Sequence, residues 1–128
     1  MENESCLFCD SRQMKKRTVL EGRYFFVILD NFPVNRGHAL VIPKRHEASL
    51  FSLCSKEWIE LQEMIEQTEE YLYSKFNPDG FNLGVNCGQA AGQTVFHLHI
   101  HLIPRYNGDV KNPRGGIRNF KKPLVAYD

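Results

Sequence analysis

Residues 94–105 read Thr-Val-Phe-His-Leu-His-Ile-His-Leu-Ile-Pro-Arg, and this stretch constrains the fold more than any other. Strict alternation of polar and apolar residues is the period of a β-strand, whose successive side chains point to opposite faces. Val95 to Ile103 therefore reads as a strand closed by Pro104, with Phe96, Leu98, Ile100 and Leu102 facing a core. His97, His99 and His101 then line the other face, about 7 Å apart per step. They are three of only five histidines in the chain. A solvated strand face ordinarily mixes Lys, Glu, Thr and Ser. A row of imidazoles points instead to a metal site or a catalytic row.

At 128 residues the chain is long enough for one core, so a single domain over 1–128 is expected, with 105–128 as a basic C-terminal extension. The formal net charge of +1 argues against nucleic acid as a partner. Met1 to Ser5 is polar and acidic, unlike a signal peptide, and the apolar run Tyr24 to Leu29 is far too short to span a membrane. Without signs of secretion, the four cysteines are expected as reduced thiols or metal ligands, and the location as cytoplasmic.

Lys56 to Phe76 reads as one long helix, with Trp58, Leu61, Met64, Ile65, Thr68, Tyr71, Leu72 and Lys75 on a mostly apolar face. Ser55 is its expected N-cap, and Asn77-Pro78-Asp79-Gly80 ends it. Thr18 to Leu20, Tyr24 to Leu29, His38 to Ile42 and Phe81 to Asn86 read as further strands, and Cys6 to Lys16 as an irregular start. Strands divided by one long helix, with little βαβ regularity, predict an α+β fold with an antiparallel sheet.

Three constellations carry chemistry. The loop Asn86 to Thr94 contains Gly88 and Gly92, which permit an anion-binding nest, with Gln93 and Thr94 adding side-chain donors. Cys6 and Cys9 form one C-x-x-C, which is half a zinc site or a redox pair. His46 and His97 are available to complete a closed, structural zinc site. An open catalytic metal on His97, His99 and His101 competes with that reading, but steps of about 7 Å along one strand strain three-way convergence on an ion whose bonds are about 2 Å. A phosphate nest beside an imidazole row also suits covalent phosphoryl or nucleotidyl transfer, with His38 at the start of another strand completing the site.

His97-Leu98-His99-Ile100-His101-Leu102-Ile103 resembles the histidine-triad motif of the HIT family of nucleotide hydrolases and transferases. The segments Gly37 to His46 and Ala91 to Arg105 also resemble that family's flanking segments, and the likeness covers residues 6 to 105. It implies an antiparallel α+β fold, paired as a homodimer, and a nucleotide substrate. By position it implies that His99 is the nucleophile, that His101 and His38 support it, and that Gln93 stands near the phosphate and leaving group. It implies ribose contacts from Asp30, with Asn31 as a rival, and phosphate-side contacts from Asn86, Gly92 and Thr94. It implies a structural zinc on Cys6, Cys9, His46 and His97. The tail after Pro104 resembles the extension of microbial members acting on dinucleoside polyphosphates, so Arg114 and Arg118 are expected at distal phosphates. The expected activity is hydrolysis of a dinucleoside polyphosphate at its α-phosphate. A nucleoside phosphoramidase, a nucleotidyl transferase or phosphorylase, and a non-catalytic zinc-stabilised nucleotide-binding module are the alternatives.

Overall fold

The structure is a computed structural model that describes residues 6–120. Its elements are α1 (Ser11–Arg17), β1 (Thr18–Glu21), β2 (Phe25–Leu29), β3 (Ala39–Pro43), α2 (Ser55–Phe76), β4 (Gly80–Val85) and β5 (Ile100–Arg105), with short 3-10 turns between them. The strands form one antiparallel five-stranded sheet in the order β1-β2-β3-β5-β4, so the fold is α+β as predicted.

Both faces of the sheet centre are covered, which is why β2 and β3 read as continuous apolar runs rather than alternating ones. Phe25, Val27, Ala39, Val41, Ile100 and Leu102 pack with Leu61, Met64 and Leu72 of α2. Phe26, Ile28, Leu40 and Ile42 face the other way and pack with Phe8 and with Met14 of α1. Removing one of the fully buried α2 anchors, such as Leu72, leaves a cavity that costs about 2–5 kcal/mol.

Helix α2 matches its predicted span. Its N-cap is Cys54, one residue before the expected Ser55, because the Glu57 carboxylate accepts the Cys54 N–H at 2.9 Å. Glu57 is itself buried, and two nitrogens of Arg45 grip its two oxygens at 2.9 and 3.0 Å. Trp58, predicted on the apolar face, is 45% exposed. The stretch Cys6 to Lys16, predicted as irregular, holds a 3-10 turn at Leu7–Cys9 and then α1. Asp10 caps α1 by accepting the Gln13 N–H, and Lys15, Lys16 and Arg17 fill its last turn.

The histidine strand departs most from its predicted bounds. It starts at Ile100 rather than Val95 and runs through Pro104 to Arg105. Before Ile100 the chain leaves the ladder, and the Leu98 N–H donates to the carbonyl of Glu47 at 2.6 Å. Phe96 therefore lies 49% exposed instead of facing the core, while Leu98 is buried. Pro104 is tolerated inside the strand because β3 has already ended on that side, at the Ala39–Leu102 pair. There the Pro104 carbonyl accepts the Asn35 side-chain amide instead of a ladder bond.

Candidate functional site

The early end of the histidine ladder gives the three imidazoles different surroundings. His97 is wholly buried and turns toward the N-terminal 3-10 turn. Its Nε2–H donates to the carbonyl of Pro43 at 2.7 Å, which leaves the Nδ1 lone pair facing inward. Nδ1 of His97 lies 3.4 Å from the sulfurs of both Cys6 and Cys9, and 3.2 Å from Nδ1 of His46. The Cys9 sulfur is 3.2 Å from the same His46 nitrogen, and all four donor atoms lie within 4.8 Å of one another. Nitrogen and sulfur ligands of a tetrahedral zinc stand about 3.3–3.8 Å apart, given bonds of about 2.0–2.3 Å. The four separations of 3.2–3.4 Å are close to that geometry, so the donor set suits such an ion. Burial, then the neighbouring Cys9, pushes the Cys6 thiol up, and burial lowers His97, so a cation would stabilise the thiolates against neutral imidazoles.

His99 is partly buried, and its Nδ1–H donates to the carbonyl of His97 at 2.9 Å. That bond fixes the tautomer and leaves the Nε2 lone pair as the nucleophilic atom. The Phe8 ring, between the two N-terminal cysteines, packs against both His97 and His99, with centroids 5.9 and 5.1 Å away. The Cys/His cluster and the His99 ring thus share one wall.

His101 is on β5 itself, paired with Leu40, and its ring centroid lies 5.1 Å from that of His99. Its Nδ1 is 2.9 Å from Nε2 of His38. The direction of this bond follows from the other side of His38, where Nδ1 accepts the Val34 N–H at 3.0 Å. His38 therefore carries its proton on Nε2 and donates to His101. Neutral His101 then presents Nε2–H as a donor. Asp30 stands 3.6 Å from the same His38 nitrogen, and its other oxygen accepts the Phe32 N–H. Burial lowers His38 despite Asp30; burial, then His99 and His38, lowers His101 to about 4, so both are neutral near pH 7. One lone pair and one N–H donor side by side are a nucleophile and a polar support for charge on its target.

The family description HIT domain fits residues 11–108. The chain belongs to the HIT family. A 16.1 kDa HIT-like protein of Mycoplasma pneumoniae is 37% identical over 108 residues, covering 83% of this chain and 75% of that protein. An AP-4-A phosphorylase of Mycobacterium tuberculosis is 35% identical over 92 residues; the match covers 71% of this chain and 47% of the relative, about half its length. The solved structure of a Zn-bound histidine triad family protein from Mycobacterium smegmatis superposes with a TM-score of 0.71 at 36% identity, covering 82% of this chain and 78% of that one.

The HIT match leaves Cys6 and Cys9 before it and Asp109 onward after it. The Cys/His cluster is thus half built by residues preceding the matched domain. Around the histidines the other predicted site residues fall as follows. Gln93 is buried, and its amide is spent on main-chain groups: Oε1 accepts the Gly88 N–H at 2.8 Å, and Nε2 donates to the carbonyls of Ala48, in the segment before α2, and of Val95 at 3.0 and 3.2 Å. The N–H groups of Ala91, Gly92 and Gln93 also close on carbonyls within the loop. The expected nest over this stretch is therefore self-satisfied, and Gln93 holds its shape. Thr94 is exposed at the loop's exit. Asn86 is exposed just past the Val85–Ile100 pair, at the level of His99, and Asn31 is exposed beside Asp30.

Arg114 and Arg118 are exposed on the extension, which returns over β4 in a 3-10 turn, Gly116–Phe120. Ile117 reaches within 3.6 Å of where a Cβ on Gly84 would stand, and Gly84 pairs with His101. The extension thus borders the histidine face. Lys121 and Lys122, part of the basic stretch noted in the sequence, lie outside the described residues. Sequence reasoning missed the Val34 N–H, the Pro43 and His97 carbonyls, and Phe8. The three backbone groups carry no residue-type signal, and Phe8 looks like any core aromatic.

Proposed function

We propose that this HIT-family chain hydrolyses dinucleoside polyphosphates through a nucleotidyl-His99 intermediate. The observation that carries the reading is the pair of fixed tautomers, a free Nε2 lone pair on His99 beside an Nε2–H donor on His101. His99 Nε2 attacks the α-phosphorus, an N–P bond forms, and the P–O bond to the departing polyphosphate breaks. The His97 carbonyl stabilises the positive ring that results, through the Nδ1–H bond already in place. His101 Nε2–H steadies charge on the phosphoryl oxygens. Water then attacks the same phosphorus, the N–P bond breaks, and the nucleoside monophosphate leaves while the water's protons pass to solvent. Asp30, with Asn31 beside it, serves the ribose; Asn86 and Thr94 serve the phosphate side, while Gly92, its N–H bonded to Gln89, and Gln93 hold the loop that presents them.

The polyphosphate preference is read from the basic extension, which carries Arg114 and Arg118 and whose Ile117 lies over Gly84, the partner of His101. Cys6, Cys9, His46 and His97 are read as holding one zinc, which supplies structure rather than chemistry because four protein ligands leave no open position. A homodimer is read from apolar side chains left exposed on α2 and β4: Trp58, Ile59 and Leu83. No helix of the described residues is long and apolar enough to cross a membrane, the net charge of +1 offers little to nucleic acid, and a cytoplasmic location suits cysteines used as ligands. The AP-4-A phosphorylase relative favours a second reading, in which inorganic phosphate replaces water as acceptor. The two separate by product identity. Incubating the protein with diadenosine tetraphosphate, with and without phosphate, gives AMP plus ATP in both cases if it hydrolyses. ADP formed only with phosphate would establish the phosphorylase.

A further inference from the structure

Beyond the triad, a chain of contacts ties the segment after β5 to the loop that governs His38. Arg105 grips the Asp109 carboxylate with two nitrogens, at 2.8 and 2.7 Å, and the Tyr106 N–H adds a third donor at 3.0 Å. The same carboxylate accepts the Asn35 side-chain amide at 2.7 Å, and that amide also donates to the Pro104 carbonyl at 3.0 Å. The Tyr106 hydroxyl donates to the carbonyl of Arg36 at 2.7 Å, holding the loop at a second point. In turn the Asn35 carbonyl accepts the His38 N–H at 3.1 Å, and its neighbour Val34 directs its N–H at His38 Nδ1.

We infer that Asn35, gripped by Asp109, is a positioning residue for His38: the grip keeps the Val34 N–H on His38 Nδ1 and so keeps His38 a proton donor to His101. This rests on the histidine chemistry proposed above. Val34 itself is 67% exposed, so burial does little to fix its N–H, and of the two holds on this loop Asn35 is the one next to it in sequence. Freed from that N–H, His38 can take either neutral tautomer. The tautomer protonated on Nδ1 turns a lone pair on Nε2 toward His101, which then must donate from Nδ1 and loses the Nε2–H that faces the phosphoryl group. Asn35 does this without touching substrate or the reacting atoms.

The test uses the full chain and the variants Asn35→Ala and Asp109→Ala. Nitrogen-15 NMR of the imidazoles reads the tautomer on the free protein, and steady-state assays on diadenosine tetraphosphate read kcat and KM. The expected wild-type signal is a single His38 form protonated at Nε2, and both variants should show a mixture. Their kcat should fall about tenfold, equivalent to ~1.4 kcal/mol, with KM little changed. In a His38→Ala background, adding Asn35→Ala should cost nothing further, because the two act through one group. A single unchanged His38 tautomer in both variants, or losses that multiply in the double variant, would overturn the inference. A wild-type protein without turnover would overturn the hydrolase reading alone, since the NMR measurement needs no substrate.

Discussion

At the scale of single residues, the three triad histidines are made unlike one another by what holds the far side of each ring. His97 donates its Nε2–H to the Pro43 carbonyl, His99 donates its Nδ1–H to the His97 carbonyl, and His101 accepts the Nε2–H of His38 at its Nδ1. His99→Ala should therefore abolish turnover while leaving the metal content and melting temperature near wild type, and His38→Ala should slow the reaction less. Retention of wild-type kcat by His99→Ala would refute the covalent route. His101 also makes a pH prediction. Between pH 6.5 and about 4 the unfolded chain protonates this imidazole and the folded chain does not, so acidification favours unfolding. Above pH 6.5 both states are neutral and the penalty is gone. Comparing urea stabilities from pH 7 to 4.5, His101→Asn should show a shallower loss than wild type; parallel curves would contradict the buried neutral ring. The alternation marked which histidines matter. It did not show how they differ, because the deciding partners are the main-chain carbonyls of Pro43 and His97 and a His38 ring oriented by the Val34 N–H, none of which the alternation reports.

At the scale of elements, α2 was legible over its whole length, since 3–4 spacing and a helix-ending Asn-Pro-Asp-Gly act locally. Strand β5 was legible in type and misread at both ends. Its late start goes with the Leu98 N–H bonding to Glu47 instead of a neighbouring strand, and its late finish with the end of β3 and with Asn35. All of these are distant in sequence, so no local pattern reports them. The loop between β2 and β3 turns on Gly37, whose φ is +90° and whose missing Cβ would stand 2.7 Å from the Phe76 ring. Gly37→Ala meets both obstacles and should destabilise the fold by about 1–3 kcal/mol. Because His38 follows directly, its kcat should fall as well. A variant as stable and as active as wild type would show that the loop is more pliable than these contacts imply.

At the scale of the whole molecule, two regions outside the HIT match converge on the histidine face: the C-x-x-C turn from one end and the extension from the other. Zinc analysis should find about one ion per chain, and Cys9→Ser should lose it together with thermal stability. Since Phe8 sits between the cysteines and against His99, metal loss should also lower kcat. Active protein free of metal would sink the zinc assignment. Replacing Arg114 and Arg118 with Ala should weaken kcat/KM for diadenosine tetraphosphate about tenfold and leave an AMP-amide nearly unaffected. Equal losses on both substrates would favour the phosphoramidase alternative.

The proposed hydrolysis requires that His99 become covalently nucleotidylated. Rapid mixing of the protein with diadenosine tetraphosphate, denaturing without acid and measuring the intact and peptide masses tests it directly. The account predicts a mass increase of one AMP moiety, confined to the peptide bearing His99, lost on mild acid treatment and absent from His99→Ala. Turnover with no adduct at times shorter than one catalytic cycle, or an adduct that persists in His99→Ala, would contradict it.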